Sequence, residues 1–263
     1  MTTETSLAQG KVYRLRYVAR NVIGLSEYGD TVSVAFSDLP AQPTVPTKNA
    51  ELSTETKLVI EWDLVSDTQI PGGAITNYRI LMDNDTSGDF KEIYSASASL
   101  KQFAVDGLIR GAIYRFKIQA RNFNGWGPES QVALFYACVR PSVPAIPILT
   151  ATSASTMTLE WKTPSNDGGC PITSYALFRD DGATGNPTKE INVDNDVSVR
   201  DKPTLRTLIV NNFDNPSQSL GKEFAFQVSA FNREGETRGS IARYIFSKTP
   251  EKPTTAPTMQ IQS

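Results

Sequence analysis

Residues 114–122 read YRFKIQARN, with apolar and polar side chains alternating step by step. That is the two-residue period of a strand buried on one face only. The pattern returns at residues 13–21 (YRLRYVARN) and 224–232 (FAFQVSAFN): an aromatic, apolar residues at two-residue steps, an Ala, and an Asn that opens a glycine-containing loop. Three copies of one pattern mark an internal repeat. Shorter strand patterns repeat with it. Residues 58–62 (LVIEW) match 157–161 (MTLEW), and 75–78 (ITNY) match 172–175 (ITSY), the latter two following the glycine pairs Gly72-Gly73 and Gly168-Gly169. No segment carries a convincing helical period, so the chain is expected to be all-β, built of short strands between Gly, Pro and Asp turns.

Proline clusters divide these strands. Pro40, Pro43 and Pro46 recur as Pro141, Pro144 and Pro147 and again as Pro250, Pro253 and Pro257. The spacing is roughly 100 residues, the size of a small sandwich domain. Proline fixes its backbone angle and cannot donate to a strand ladder, so each cluster ends one sheet and leads stiffly into the next. The expected divisions are therefore 1–39, 40–140, 141–249 and 250–263. In the first, only residues 11–21 and 31–37 read as strands. A lone hairpin is marginal in water, so 1–39 read as the last two strands of a domain.

The chain has 263 residues, 26 Lys and Arg against 28 Asp and Glu, and a net charge of -2. This balance gives no electrostatic case for a nucleic-acid partner or an anionic membrane. Apolar runs such as residues 133–139 are too short for insertion into a bilayer, and the first ten residues lack the basic end and apolar core of a signal peptide. Histidine is absent, which removes the commonest general base and metal ligand. Two cysteines cannot make a four-ligand zinc cluster of Cys and His. No catalytic, cofactor-binding, metal-binding or small-molecule substrate site is expected.

Taken together, the Pro-rich starts, Trp62 and Trp161, Tyr78 and Tyr175, and the Tyr-to-Asn strands resemble the fibronectin type III domain, a two-sheet sandwich of seven strands. So does Leu-x-x-Gly-x-x-Tyr, present as Leu7, Gly10 and Tyr13 and as Leu108, Gly111 and Tyr114. The resemblance implies tandem immunoglobulin-like β-sandwiches. Residues 1–39 become strands F and G of one domain, 40–140 and 141–249 become complete domains, and 250–263 a linker and the first strand of another. Trp62, Tyr78, Trp161, Tyr175 and Phe224 become core residues, and Tyr13 and Tyr114 become tyrosine corners whose hydroxyls reach back to the upstream backbone. The third copy departs from the pattern: Phe224 has no hydroxyl, Leu220 is out of step, and extra residues within 192–219 lengthen its C′-to-E region, as sandwich edges allow.

The same resemblance places Cys138 at the end of one domain and Cys170 in the B–C loop facing it. The implied pairing is a disulfide across the junction, in an oxidising compartment, worth about 3–4 kcal/mol of chain entropy. The alternative is two unpaired thiols in a cytosolic array.

Other motifs carry less. Residues 83–88 (DNDTSG) imitate half a calcium loop, but the twelfth position is Tyr94 rather than Glu and strands flank it, so an Asx-type turn is expected here and at Asp180-Asp181-Gly182. Asn84-Asp85-Thr86 is a glycosylation sequon, whereas Asn186 and Asn215 precede proline. In the F–G loops, Trp126 is either an exposed anchor for a partner or packs on the proline cluster or a neighbouring domain. Arg238-Gly239-Ser240 lacks the Asp of an integrin-binding Arg-Gly-Asp. Arg14, Arg16 and Arg20, like Arg115, Lys117 and Arg121, read as the solvated face of a strand.

The expected function is structural or adhesive and non-enzymatic, in an extracellular or cell-surface tandem array that contacts neighbouring repeats and forms fibres with copies of itself. The alternatives are an intracellular cytoskeletal scaffold, which the stretch 164–175 resembles, and a spacer attached to an enzyme.

Overall fold

The computed structural model describes residues 7–66, 73–84, 88–191, 202–211, 213 and 216–248. The chain forms two compact units, Met1–Cys138 and Val139–Ser263. Among the described residues the only helical element is a single four-residue turn, α1 (Pro216–Ser219). The rest is antiparallel β-structure.

The first unit opens with β1 (Val12–Leu15) and β2 (Val32–Ala35), paired as a hairpin. β3 (Thr47–Lys48), β4 (Leu58–Glu61) and, further on, β7 (Gln102–Val105) make a three-stranded sheet with β4 in the middle. A larger sheet takes β5 (Asn77–Asp83), β6 (Lys91–Ser97), β8 (Ile113–Asn122), β9 (Gly125–Glu129) and β10 (Ala133–Tyr136), ordered β10-β8-β5-β6 with β9 on the far end of β8. Alternation in β8 puts Tyr114, Phe116, Ile118 and Ala120 inside, against Leu58, Ile60 and Trp62 of the facing sheet and Tyr78 and Ile80 of β5. Two inner faces of this kind make a sandwich.

The second unit repeats the arrangement. β11 (Ile148–Thr152), β12 (Met157–Glu160) and β15 (Thr207–Val210) form one sheet. β13 (Ser174–Arg179), β14 (Lys189–Glu190), β16 (Glu223–Asn232), β17 (Gly235–Arg238) and β18 (Ala242–Ile245) form the other, ordered β14-β13-β16-β17 with β18 also on β16. Trp161 meets Tyr175 at 6.0 Å between ring centroids, matching the 6.1 Å of Trp62 and Tyr78. The repeat is thus visible in side-chain packing as well as in strand order.

Two expectations change. The pattern over residues 11–21 predicts one continuous strand, but β1 stops at Leu15, with an isolated bridge from Arg20 to Leu25. Val12, Leu15 and Tyr17 are more than half exposed, and among the described residues no third strand pairs with this hairpin. Without an opposing sheet, alternation alone does not hold the strand. The third copy's Phe224 is compensated in a way its sequence does not announce. Its ring meets Phe213 edge-on at 5.1 Å, and Phe213 stacks on Phe246 at 4.2 Å. The guanidinium of Arg179, buried to 2% exposure, lies 4.7 Å from the Phe213 ring and 5.3 Å from that of Phe224. Of the lengthened region within 192–219, residues 192–201, 212, 214 and 215 lie outside the described residues, as do 250–263.

Candidate functional site: strand-end asparagines and the linkers they hold

The long central strand of each sandwich ends in Asn, three residues before Gly. Asn122 is 1% exposed and Asn232 is 6% exposed, although both are polar and terminal in their strands. Burial is tolerated because every polar atom is used. In the first unit Asn122 Oδ1 accepts from the backbone N–H of Asn124 (3.0 Å) and Gly125 (3.2 Å), closing the turn. Its Nδ2 donates to the carbonyl of Asp38, 2.6 Å away, in the linker that leads into the sandwich. In the second unit Asn232 Oδ1 accepts from Glu234 N at 2.8 Å, and its Nδ2 donates to Val139 O and Asp167 O, each at 2.7 Å. One side chain therefore shapes the turn and grips the incoming linker.

Neighbouring groups reinforce the grip. Asn124 Nδ2 donates to Ala35 O (3.0 Å) and Ser37 O (2.7 Å), and its Oδ1 accepts from Ala35 N at 3.2 Å. It thereby ties the hairpin end to the sandwich. Gln42 Nε2 donates to Glu129 O at 2.7 Å. Gly127 leaves room for Pro40, since a Cβ there would sit 2.3 Å from the Pro40 carbonyl oxygen. In the second unit Gly168, at φ 77°, approaches the linker still closer: a Cβ would lie 2.1 Å from Val139 O and 2.6 Å from Arg140 O. Val139 N donates to Gly168 O at 2.7 Å, and Ser142 N to Asn166 O at 2.9 Å. Each linker is held by directional bonds to backbone, so the clamp is indifferent to most linker side chains.

The other singled-out residues fall as follows. Trp62, Tyr78, Trp161, Tyr175 and Phe224 are buried. The Tyr114 hydroxyl accepts from Ile109 N at 2.9 Å, and that of Tyr13 from Ala8 N at 2.7 Å, each five residues upstream. Burial pushes the Tyr175 phenol above its ordinary value, against the pull of the Arg206 guanidinium. Cys138 and Cys170 are both disulfide-bonded and neither is free. Asn84 is exposed, while Asp85 and Thr86 of its sequon, with Ser87, lie outside the described residues.

Asp83, the first residue of the calcium-like stretch, is buried and ion-paired to Arg115. Asp181 makes an Asx turn: its Oδ1 accepts from Ala183 N at 2.9 Å and Thr184 N at 3.0 Å. The Thr184 N–H first, then that of Ala183, hold its carboxyl below the ordinary value. Among the described residues no group of three or more His, Cys, Asp or Glu could hold a metal ion.

Trp126 is half-buried in β9. Its ring lies under two guanidinium groups of its own sheet, Arg79 at 4.6 Å and Arg121 at 5.5 Å. Arg79 is aimed by Gln119 Oε1, 2.6 Å from its Nε. Gln119 is itself buried and donates to Gly127 O, which explains a polar residue facing away from solvent in β8. The basic residues of β8 are accordingly paired rather than simply solvated, Lys117 with Glu129 at 2.9 Å among them. In the second unit Arg238 is engaged by Glu236 (2.9 Å) and covers the Phe178 ring at 4.2 Å. Sequence reasoning missed Asn124, Gln119 and Arg179. The Asn-x-x-Gly spacing at 21–24, 122–125 and 232–235 was the readable signal for the clamp.

Two stacked antiparallel sheets, repeated and joined by clamped proline linkers, define a tandem β-sandwich protein. Residues 43–135 match the model of the Fibronectin type III domain, and the chain is a tandem array of fibronectin type III sandwiches. It is 27% identical over 221 residues to "Fibronectin type-III domain-containing protein 3A" of Pongo abelii, covering 83% of this chain and 18% of that protein. To "M-protein, striated muscle" of Gallus gallus it is 28% identical over 177 residues, 65% of this chain and 12% of that one. To titin of Drosophila melanogaster it is 26% identical over 250 residues, 92% and 1%. The chain thus spans less than a fifth of the length of each of these relatives.

Proposed function

We infer that this chain is a non-enzymatic structural segment whose task is to join sandwiches in series and to present their faces to other proteins. The observation that carries this reading is the clamp: Asn122 and Asn232 each spend a buried amide on the backbone of a linker. A buried amide held this way resists swivelling of the linker, because rotation would leave the donor unsatisfied away from water. Its partners are neighbouring repeats and, by association of exposed faces, copies of itself in a fibre. Concentration-dependent sedimentation tests the second part. Reversible growth beyond the monomer supports self-association, and a monomer at every concentration removes it.

The bonded state of Cys138 and Cys170 favours an oxidising, extracellular or cell-surface setting. A second reading, an intracellular scaffold, is favoured by the likeness to a protein named for striated muscle. Alkylating free thiols in the native cells before lysis separates the two. Blocked labelling at both cysteines supports the first reading, and full labelling of both supports the second.

A further inference from the structure

Asn124 is followed by glycine, as no other asparagine of the chain is. It lies exposed in the turn between β8 and β9, with its side-chain amide turned to the end of β2. Oδ1 accepts from Ala35 N at 3.2 Å, and Nδ2 donates to Ala35 O at 3.0 Å, Ser37 O at 2.7 Å and Ser37 Oγ at 3.2 Å. One amide thus meets both backbone groups of Ala35, as a residue of a paired strand would. The grip depends on a donor. Two of the three acceptors are carbonyl oxygens, which a carboxylate in the same place would oppose.

An Asn-Gly step is also where the backbone attacks an asparagine side chain most readily, because no side chain screens the glycine nitrogen and its backbone turns freely. In the folded turn both reacting groups are engaged. Gly125 N–H donates to Asn122 Oδ1 at 3.2 Å, and the bonds to Ala35 and Ser37 fix the Asn124 amide. Attack requires that these bonds open first. The matching positions of the other two turns are Ile23 and Glu234, which carry no amide, so the chemistry is confined to this one.

We propose that Asn124 is a deamidation site gated by the bonds that hold the linker, and that its conversion releases the hairpin end from the sandwich irreversibly. The lone pair of Gly125 N forms a bond to Asn124 Cγ, the Cγ–Nδ2 bond breaks, and ammonia leaves with the proton of the Gly125 N–H. Water then opens the resulting succinimide at either carbonyl, giving aspartate or isoaspartate at 124. Neither product has the Nδ2 donor, so the bonds to Ala35 O and Ser37 O cannot form again. The site does not depend on the compartment or on self-association.

The test incubates the full folded chain, the same chain in urea and a synthetic peptide of residues 120–129 in one mildly alkaline buffer, with conversion at Asn124 followed by peptide-resolved mass spectrometry. The folded chain should convert about tenfold or more slowly than the other two, since several hydrogen bonds must open before attack. Asn122→Ala frees the Gly125 N–H and should speed conversion of the folded chain about fivefold, with the rate in urea unchanged. The comparison of folded and unfolded parent holds even where that variant fails to fold. After conversion the Ala35 N–H should exchange with solvent faster, as it should in Asn124→Asp. Equal rates in the folded and urea-unfolded parent would overturn the proposal, as would no conversion of the folded chain after the peptide has converted fully. So would an Ala35 exchange rate that conversion leaves unchanged.

Discussion

The side-chain amide of Asn122 donates to the carbonyl of Asp38 at 2.6 Å, while its oxygen closes the turn to Asn124 and Gly125. Donor and acceptor roles can be separated by mutation. Asn122→Ala removes both and leaves a buried carbonyl and two N–H groups to find water, so unfolding stability should fall by about 2–3 kcal/mol. Asn122→Asp keeps the oxygen that closes the turn but sets a second, charged oxygen against the Asp38 carbonyl in a buried place, so it should cost at least as much as Asn122→Ala in denaturant midpoint near neutrality. Amide exchange at Ser37 to Leu39 should rise in both variants. An Asp variant clearly more stable than the Ala variant would show that the turn, not the linker bond, carries the energy.

Close approach at the linkers makes a different prediction at Gly127 and Gly168. A Cβ at Gly127 meets the Pro40 carbonyl oxygen at 2.3 Å, and one at Gly168 meets two linker carbonyl oxygens at φ 77°. Backbone oxygens cannot swing aside as a side chain would. Gly168→Ala adds left-handed strain of about 1–3 kcal/mol to the collision, and Gly127→Ala has the collision alone. Both should lose stability by equilibrium unfolding, with Gly168→Ala the worse. The order reversed would mean that the linker yields more readily at Gly168.

The Tyr114 hydroxyl accepts from Ile109 N at 2.9 Å across five residues. Tyr114→Phe keeps the ring in the core and deletes that acceptor, so it should cost about 1 kcal/mol. The third copy shows what replaces it: Phe224 gains Phe213 and, through it, Phe246. Phe213→Ala should therefore cost more than Tyr114→Phe, about 3–5 kcal/mol, as expected for deletion of a buried aromatic. Thermal unfolding of the two variants side by side tests the ranking.

These contrasts show which parts of the molecule are legible in a sequence. Strand order and the core could be read because alternation and the placement of Trp62, Tyr78, Trp161 and Tyr175 are local signals tied to one period. The end of β1 could not, because a strand's extent depends on what lies across from it, and periodicity is silent about partners. Gln119 occupies a polar step of its pattern yet is buried, since its amide is spent on Gly127 O and Arg79. Arg179 is charged and buried because two rings from distant segments cover it. Both are consequences of long-range pairing. Asn-x-x-Gly was in plain view, but its second bond, to a linker some 90 residues away in sequence, is not a local property.

Trp126 is the partly exposed indole of a chain whose other two, Trp62 and Trp161, are buried. Its ring is covered by Arg79 and Arg121, contacts worth about 0.5–1 kcal/mol each at exposed sites. Arg79→Gln should therefore expose the indole, shifting its fluorescence to the red and raising its quenching by iodide with little loss of stability. Quenching that stays unchanged would mean that the sheet, not the guanidinium, shields the ring.

Asp181 supplies the pH dependence. The Thr184 and Ala183 N–H groups bond its carboxylate and hold its carboxyl below the ordinary value, about 3.9 in an unfolded chain. Because the folded form releases this proton more readily, the stabilisation is full above the ordinary value and is lost as pH falls through the lower, folded one. Asp181→Asn keeps an acceptor for both N–H groups but does not titrate. Its denaturant midpoint should match that of the parent near neutrality and fall less steeply in the acid window at and below the ordinary carboxylate value. The carboxylate is solvent-exposed, so the difference is small and best seen by following the Ala183 and Thr184 amide resonances against pH. In the parent those resonances should titrate together, with a midpoint below that of an unfolded aspartate; in Asp181→Asn they should not move. Titration at or above the ordinary value would show that the turn does not favour the ionised form.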